Sequence, residues 1–63
     1  MAYLATDLNG SEKIFEEYPK AVKETWLPWD GLSFFIYLPK GTIKKIIGRD
    51  LTFDDEPVEL EAD

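Results

Sequence analysis

The chain has 63 residues, a net charge of −6 and an apolar fraction of 44%, which together predict one small folded domain over residues 1–63. It contains neither cysteine nor histidine, which excludes disulfides, zinc–thiolate centres, thiol nucleophiles and imidazole bases. No apolar run approaches the ~20 residues of a membrane span, and the signal-peptide pattern is missing. A cytoplasmic protein without membrane contact is therefore expected.

The first predicted elements are two strands, residues 3–6 and 12–18, joined by a tight turn at Asn9-Gly10. Asn-Gly favours a primed hairpin turn because both residues tolerate positive φ. The second strand mixes Lys13 and glutamates with apolar residues on both faces, a pattern that suits an edge strand or a thin, two-faced sheet. Pro19 is expected to end this strand because it lacks a backbone N–H donor.

Two more strands are predicted in the middle of the chain. Residues 21–26 form the third strand, and residues 27–31 form a turn with Asp-Gly at its tip. The most apolar run, residues 32–38, is expected to be the central strand, buried on both faces. Phe34, Ile36 and Leu38 share one face of this run and are expected to lie in the core.

The only helical pattern lies at about residues 42–47. Ile43, Ile46 and Ile47 are spaced to form one apolar stripe, which would dock on the sheet. Thr42 is a candidate N-cap, and Gly48 is a candidate C-terminal glycine. Such a short helix would not persist in water without this docking.

The last predicted elements are also short. Residues 51–53 and 58–61 alternate between apolar and polar side chains, and the glutamates of the second segment are typical of a protected edge strand. An acidic tail, residues 61–63, is expected to fray. The fold class is therefore α+β, with a small, mostly antiparallel sheet of four or five strands and one short helix.

Charge is unevenly distributed along the chain. Residues 50–63 carry seven acidic side chains and no basic one, whereas residues 40–49 carry four basic side chains and no acidic one. Tryptophan is enriched at interface centres, and one tryptophan of this chain lies beside a predicted turn. Together with acidic residues of the C-terminal segment it gives the candidate partner-binding residues: Trp29, Asp54, Asp55, Glu59 and Glu61. The alternative basic patch consists of Lys40, Lys44, Lys45 and Arg49.

Several sequence blocks spread over most of the chain suggest a family. The most specific block is Leu-Pro-Lys-Gly-Thr-Ile-Lys-Lys-Ile-Ile-Gly-Arg at residues 38–49, and further blocks lie at residues 3–7 and 55–60. On these residues the chain resembles short bacterial proteins of prophage and mobile-element type, in which tryptophan is expected where this chain has Phe53. The resemblance implies no assigned activity, cofactor or catalytic residue.

These observations predict a non-catalytic protein that acts through protein–protein contact, as an accessory or modulator carried by a phage or mobile element. Ser11 and Ser33 have no base to activate them, and Glu16 and Glu17 would point to opposite faces of a strand. No catalytic residue, metal site or cofactor is therefore expected. Two alternatives remain: nucleic-acid binding through the basic helix, which the acidic net charge disfavours, and an acidic mimic of DNA. A monomer or weak homodimer is expected.

Overall fold

A computed structural model describes residues 1–60 of the chain. Its elements, in chain order, are β1 Ala2–Thr6, β2 Glu12–Phe15, β3 Pro19–Val22, β4 Thr25–Pro28, β5 Phe35–Leu38, α1 Thr42–Ile47 and β6 Val58–Leu60. The main sheet has four antiparallel strands in the order β5-β2-β1-β6, and β3 and β4 pair as a separate antiparallel hairpin. The predicted α+β class is confirmed. The expected acidic tail, residues 61–63, lies outside the described residues.

The main sheet is covered on both faces because successive residues of a strand point to opposite sides. On one side, the helix face, Leu4 of β1 packs with Ile43 of α1 and with Leu51. On the other side, the hairpin face, Phe15 of β2 packs with Trp26 of β4. The molecule is therefore a thin arrangement of helix, sheet and hairpin, with β1 and β2 at its centre.

The position of β2 agrees with one of the two predicted alternatives. It lies between β5 and β1, so it is not an edge strand but part of a thin sheet that is packed on both faces. Its charged residues Glu12 and Lys13 are buried, and each of them has hydrogen-bond partners in other elements. β2 ends at Phe15, and Pro19 begins β3. Proline is tolerated at the first position of a strand, where no ladder N–H is needed.

The predicted third strand, residues 21–26, is instead part of both arms of the β3–β4 hairpin. Ala21 pairs with Trp26, and Lys23, with φ of +57°, turns the chain between them. This turn was not predicted because Lys-Glu lacks the glycine, proline or asparagine that is typical of turns.

The apolar run at residues 32–38 contributes an edge strand, so its prediction as the central strand is wrong. Only β5 within this run is paired, and its partner is β2. Phe34 and Ile36, both expected in the core, are exposed, whereas Leu38 is half-buried against the helix-face core. β2 can occupy the centre because its two charges have internal partners, and this arrangement leaves the more apolar strand at the edge.

Helix α1 has the predicted bounds, and Gly48 ends it with φ of +82°, as expected. The cap at its start differs from the prediction, since Gly41 and not Thr42 is the N-cap and contributes no side chain. The Glu12 carboxylate of β2 accepts hydrogen bonds from the N–H groups of Gly41 and Ile43, both at 2.8 Å. A side chain distant in sequence therefore takes the role of the local cap.

The C-terminal part of the described chain returns to the sheet. β6 is an edge strand, as predicted, and the structure places it at the opposite edge of the sheet from β5. Residues 51–53 form no strand: Leu51 is buried, and the Asp55 carboxylate accepts the N–H of Thr52 at 2.8 Å, which closes a turn. Ile46 of the predicted stripe is exposed, so the docked side of α1 is narrower than expected.

The turn between β1 and β2 uses only one of its two expected residues. Gly10 has φ of +90°, whereas Lys23 is the only non-glycine residue of positive φ within residues 1–60, so Asn9 is not left-handed. The N–H of Gly10 donates to the carbonyl of Asp7 at 2.9 Å, and the N–H of Asp7 donates to the carbonyl of Ser11 at 2.8 Å. The turn is therefore a longer loop with a glycine bulge, and the prediction of a primed two-residue turn is wrong.

We predict that Gly10→Val lowers the free energy of unfolding by about 1–2 kcal/mol, because a β-branched residue is strained at this φ. The nearest atom to an added Cβ would be the Lys40 Nζ at 3.7 Å, so steric clash adds little. Urea denaturation measures the effect. Gly10→Asn is the matched control, since asparagine tolerates left-handed φ better than valine. Equal stability of the valine variant and the wild type would contradict the turn geometry.

Candidate protein-binding surface

The only ion pair within residues 1–60 is buried between the sheet and the hairpin. The Lys13 Nζ lies 3.0 Å from the Asp7 Oδ2, and both side chains are less than a tenth exposed. Lys13 also donates to the Thr25 Oγ1 at 2.8 Å and to the carbonyl of Trp26 at 3.0 Å. An ammonium group has three N–H donors, so all of them are used inside the fold. Through these contacts Lys13 connects β2 to the hairpin and to Asp7.

The most exposed apolar stretch is residues 29–37, which we call the apolar segment. It runs from the end of the hairpin into β5. Its large apolar side chains are exposed by well over half of their surface: Trp29 64%, Leu32 85%, Phe34 79%, Ile36 64% and Tyr37 63%. Trp29 is one of the candidates predicted from the sequence. The other four residues were not predicted, because a short apolar run is typical of a buried strand.

The first part of the apolar segment is ordered by Asp30. Its Oδ1 accepts the N–H groups of Leu32 at 2.8 Å and of Ser33 at 2.9 Å, and its Oδ2 accepts the Ser33 hydroxyl at 3.0 Å. Hydrogen bonds from these backbone N–H groups, and then from the hydroxyl, lower the pKa of the Asp30 carboxyl. Because the pKa of Asp30 is lower in the folded state, its ionised carboxylate stabilises the fold at pH values above the ordinary aspartate pKa. This stabilisation is lost as the pH falls through the folded-state pKa.

Trp29 forms one wall of an open groove of about 530 Å³ on the outer side of the hairpin. Leu27 and Phe35 also line this groove, and the Lys20 Nζ lies 5.4 Å from the centroid of the Trp29 ring. A second open groove, of about 260 Å³, is lined by Met1, Phe34 and Ile36 among others. The apolar segment therefore borders both concave surfaces.

The aromatic rings of β5 are held by contacts beneath them. The Phe35 ring stacks on Phe15 with 5.3 Å between centroids and meets the Tyr37 ring edge-on at 5.7 Å. The Lys13 Nζ lies 5.0 Å from the centroids of both β5 rings. Cation–π and aromatic contacts of this kind restrict the rings without covering their outer surface. Ordering these rings on binding therefore costs little additional entropy.

Of the acidic candidates within residues 1–60, Asp54, Asp55 and Glu59 line neither groove. Asp54 is exposed, and Asp55 is engaged with Thr52 in the turn described above. Glu59 is exposed on β6 and pairs with Tyr3 of β1. The pKa of the Tyr3 hydroxyl is raised by burial first, and then by the carboxylates of Glu59 and Glu17. The remaining candidate, residue 61, lies outside the described residues.

The alternative basic patch lies on and around α1. Lys44 and Lys45 are in the last turn of the helix, and Lys40 and Arg49 flank it. All four side chains are exposed, and none forms an ion pair with an acidic residue of the described chain. The structure therefore brings these four residues into one short, solvated stretch.

Residues 1–60 contain neither a cluster of metal-ligating side chains nor a helix able to cross a membrane. No three acidic side chains within residues 1–60 are grouped so that they could hold a metal ion. The helix found among these residues is too short and too polar to cross a membrane. Comparisons of the chain with family models, with curated proteins and with solved structures find no match.

Proposed function

We propose that the protein is non-catalytic and acts by binding another protein chain through the apolar segment. The observation that carries this proposal is the exposure of five large apolar side chains between Trp29 and Tyr37. Large contiguous apolar patches on a protein surface mark interaction sites, whereas single exposed apolar residues are normal. Burying one such side chain completely is worth about 1.5–3 kcal/mol, so a few of them suffice for specific contact.

The residue types of the apolar segment also favour a protein partner. Tryptophan, tyrosine and phenylalanine are enriched in protein interfaces, and tryptophan frequently contributes most of the binding energy. Trp29 stands at a groove with a cation above its ring, an arrangement that combines an apolar anchor with a polar rim. We extend the proposal to a cytoplasmic accessory or modulator of a phage or mobile element, which is supported by the resemblance of residues 38–49.

Nucleic-acid binding is the second candidate function, and the exposed basic stretch around α1 is the observation that favours it. Phosphate contacts by lysine and arginine make such binding strongly dependent on salt. The net charge of −6 opposes it, because the approaching polyanion meets an acidic molecule. The two functions use different surfaces and can therefore be separated by substitution.

We predict that Trp29→Ala abolishes capture of the partner protein from the native host, whereas changing Lys44, Lys45 and Arg49 to Gln leaves it intact. The Gln variant moves the net charge from −6 to −9 and should fold normally, because exposed substitutions usually change stability by less than ~0.5 kcal/mol each. Affinity capture with quantitative mass spectrometry measures both variants beside the wild type.

The same variants test the alternative. Tight, salt-sensitive binding of the wild type to DNA or RNA, lost in the Gln variant and kept in Trp29→Ala, would replace the proposed function by nucleic-acid binding. Capture of the same partner in equal amounts by Trp29→Ala and by the wild type would show that the contact lies elsewhere on the molecule.

A further inference from the structure

We propose that the partner of the β5 edge is a second copy of this chain, so that two main sheets join into one continuous antiparallel sheet across a two-fold axis. This inference rests on the proposed function, since it names a partner for part of the apolar segment. In the joined sheet, Ile36 lies opposite Ile36 of the second copy, and Phe35 lies opposite Tyr37 of the second copy.

The first support is that β5 has free hydrogen-bonding groups on its outer side. In an antiparallel pair, only alternate residues bond to a given neighbour. The N–H of Glu16 donates to the carbonyl of Phe34 at 3.4 Å, and Ile36 is paired with Ile14 two residues further along. The N–H and C=O groups of Phe35 and Tyr37 therefore point away from β2, to the open edge of the sheet.

The second support is the contrast between the two edges of the sheet. By the same alternation, the outward residue of β6 is Glu59, which is exposed. A charge at this position is a usual protection against edge-to-edge pairing. β5 has the sequence Phe-Ile-Tyr-Leu, with neither a charge nor a proline. The β6 edge is therefore protected against pairing, whereas the β5 edge has the composition of a strand that can pair with another strand.

The third support is that the β5 edge is complementary to itself. A two-fold axis perpendicular to the sheet keeps the helix faces of both copies on the same side, so opposed residues must share a face. With Ile36 on the axis, the outward groups of Phe35 pair with those of Tyr37 in the other copy, and none is left unpaired. The facing aromatic side chains form cross-strand pairs, which stabilise sheets.

The register is tested by disulfide cross-linking, since the chain has no cysteine of its own. Opposed residues on the axis would be about 4.5 Å apart between Cα atoms, a separation that a disulfide spans. In oxidised glutathione, Ile36→Cys should form a covalent dimer at least about tenfold faster than Phe34→Cys, whose copies lie about 13 Å apart in this register. Phe34 is the more exposed residue, so equal or reversed rates would overturn the proposal.

Association without a cross-link is tested by sedimentation from micromolar to millimolar concentration. The wild type should dimerise, Ile36→Lys should weaken the dimer by at least about tenfold because like charges oppose each other, and the exposed control Ile46→Lys should not. Amide exchange of Phe35 and Tyr37 should slow with concentration. A wild type that remains monomeric throughout overturns this inference alone, whereas the proposed function fails only if Trp29→Ala still captures the partner.

Discussion

Replacing Lys13 with methionine should lower the free energy of unfolding by about 3–5 kcal/mol, because it leaves the buried Asp7 carboxylate without its counter-charge. The Lys13 side chain is 2% exposed and the Asp7 side chain 8% exposed, so water cannot replace the lost partner. The substitution also removes donors to the Thr25 hydroxyl and the Trp26 carbonyl. A small domain has a total stability of only about 5 kcal/mol, and the variant should therefore be largely unfolded.

The role of charge in this loss is separated from packing by a second substitution. Asp7→Asn keeps an oxygen that can accept the N–H of Trp26, as the Asp7 Oδ1 does at 2.9 Å, but removes the buried charge. The double variant Asp7→Asn with Lys13→Met should therefore be more stable than Lys13→Met alone. Urea denaturation followed by near-ultraviolet circular dichroism measures both.

A matched control is Lys20→Met on β3, which removes a lysine that is only half-buried and lies over the Trp29 ring. Its effect should stay below about 1 kcal/mol. If Lys13→Met costs no more than this control, the buried ion pair does not hold the hairpin to the sheet, and the double variant should then show no recovery.

The parts of the fold that the sequence predicted well are those fixed by neighbouring residues. The helix at residues 42–47 and its terminal Gly48 follow from apolar spacing and from the left-handed preference of glycine and have these positions in the structure. The β6 edge strand follows from local alternation of apolar and acidic residues. No distant partner is needed to specify any of these elements.

The parts that were wrong depend on partners distant in sequence. β2 was expected at an edge or in a thin, two-faced sheet because neither of its faces is cleanly apolar. The sequence alone does not show that the charges of Glu12 and Lys13 meet Gly41 and Asp7 in the fold. The same pairing moves β5 to the edge and exposes Ile36. Trp29 was predicted because tryptophan is enriched at interface centres. The exposure of the rest of the apolar segment depends on the strand order, which the sequence does not show.

Glu12→Ala should lower the free energy of unfolding by about 2–4 kcal/mol, because hydrogen bonds to a charged group are worth about 1.5–3 kcal/mol each. The Glu12 carboxylate accepts two of them, from Gly41 and Ile43 at 2.8 Å. Ile43 is buried, so its N–H would lose its partner without gaining water. The helix has six residues and cannot hold itself together, so its docking depends on this contact.

Two variants locate the effect of Glu12 at the helix terminus. Glu12→Gln retains one acceptor oxygen but turns an amide group toward the second N–H donor, so it should lose an intermediate amount of stability. Glu16→Ala removes an exposed glutamate just beyond the same strand and should change stability by less than ~0.5 kcal/mol. Amide exchange should accelerate at Ile43 more than at Phe15 in Glu12→Ala, because the helix loses its anchor while the sheet keeps its ladder. Uniform acceleration at both amides would mean that Glu12 supports the whole fold, and the local capping argument would then fail.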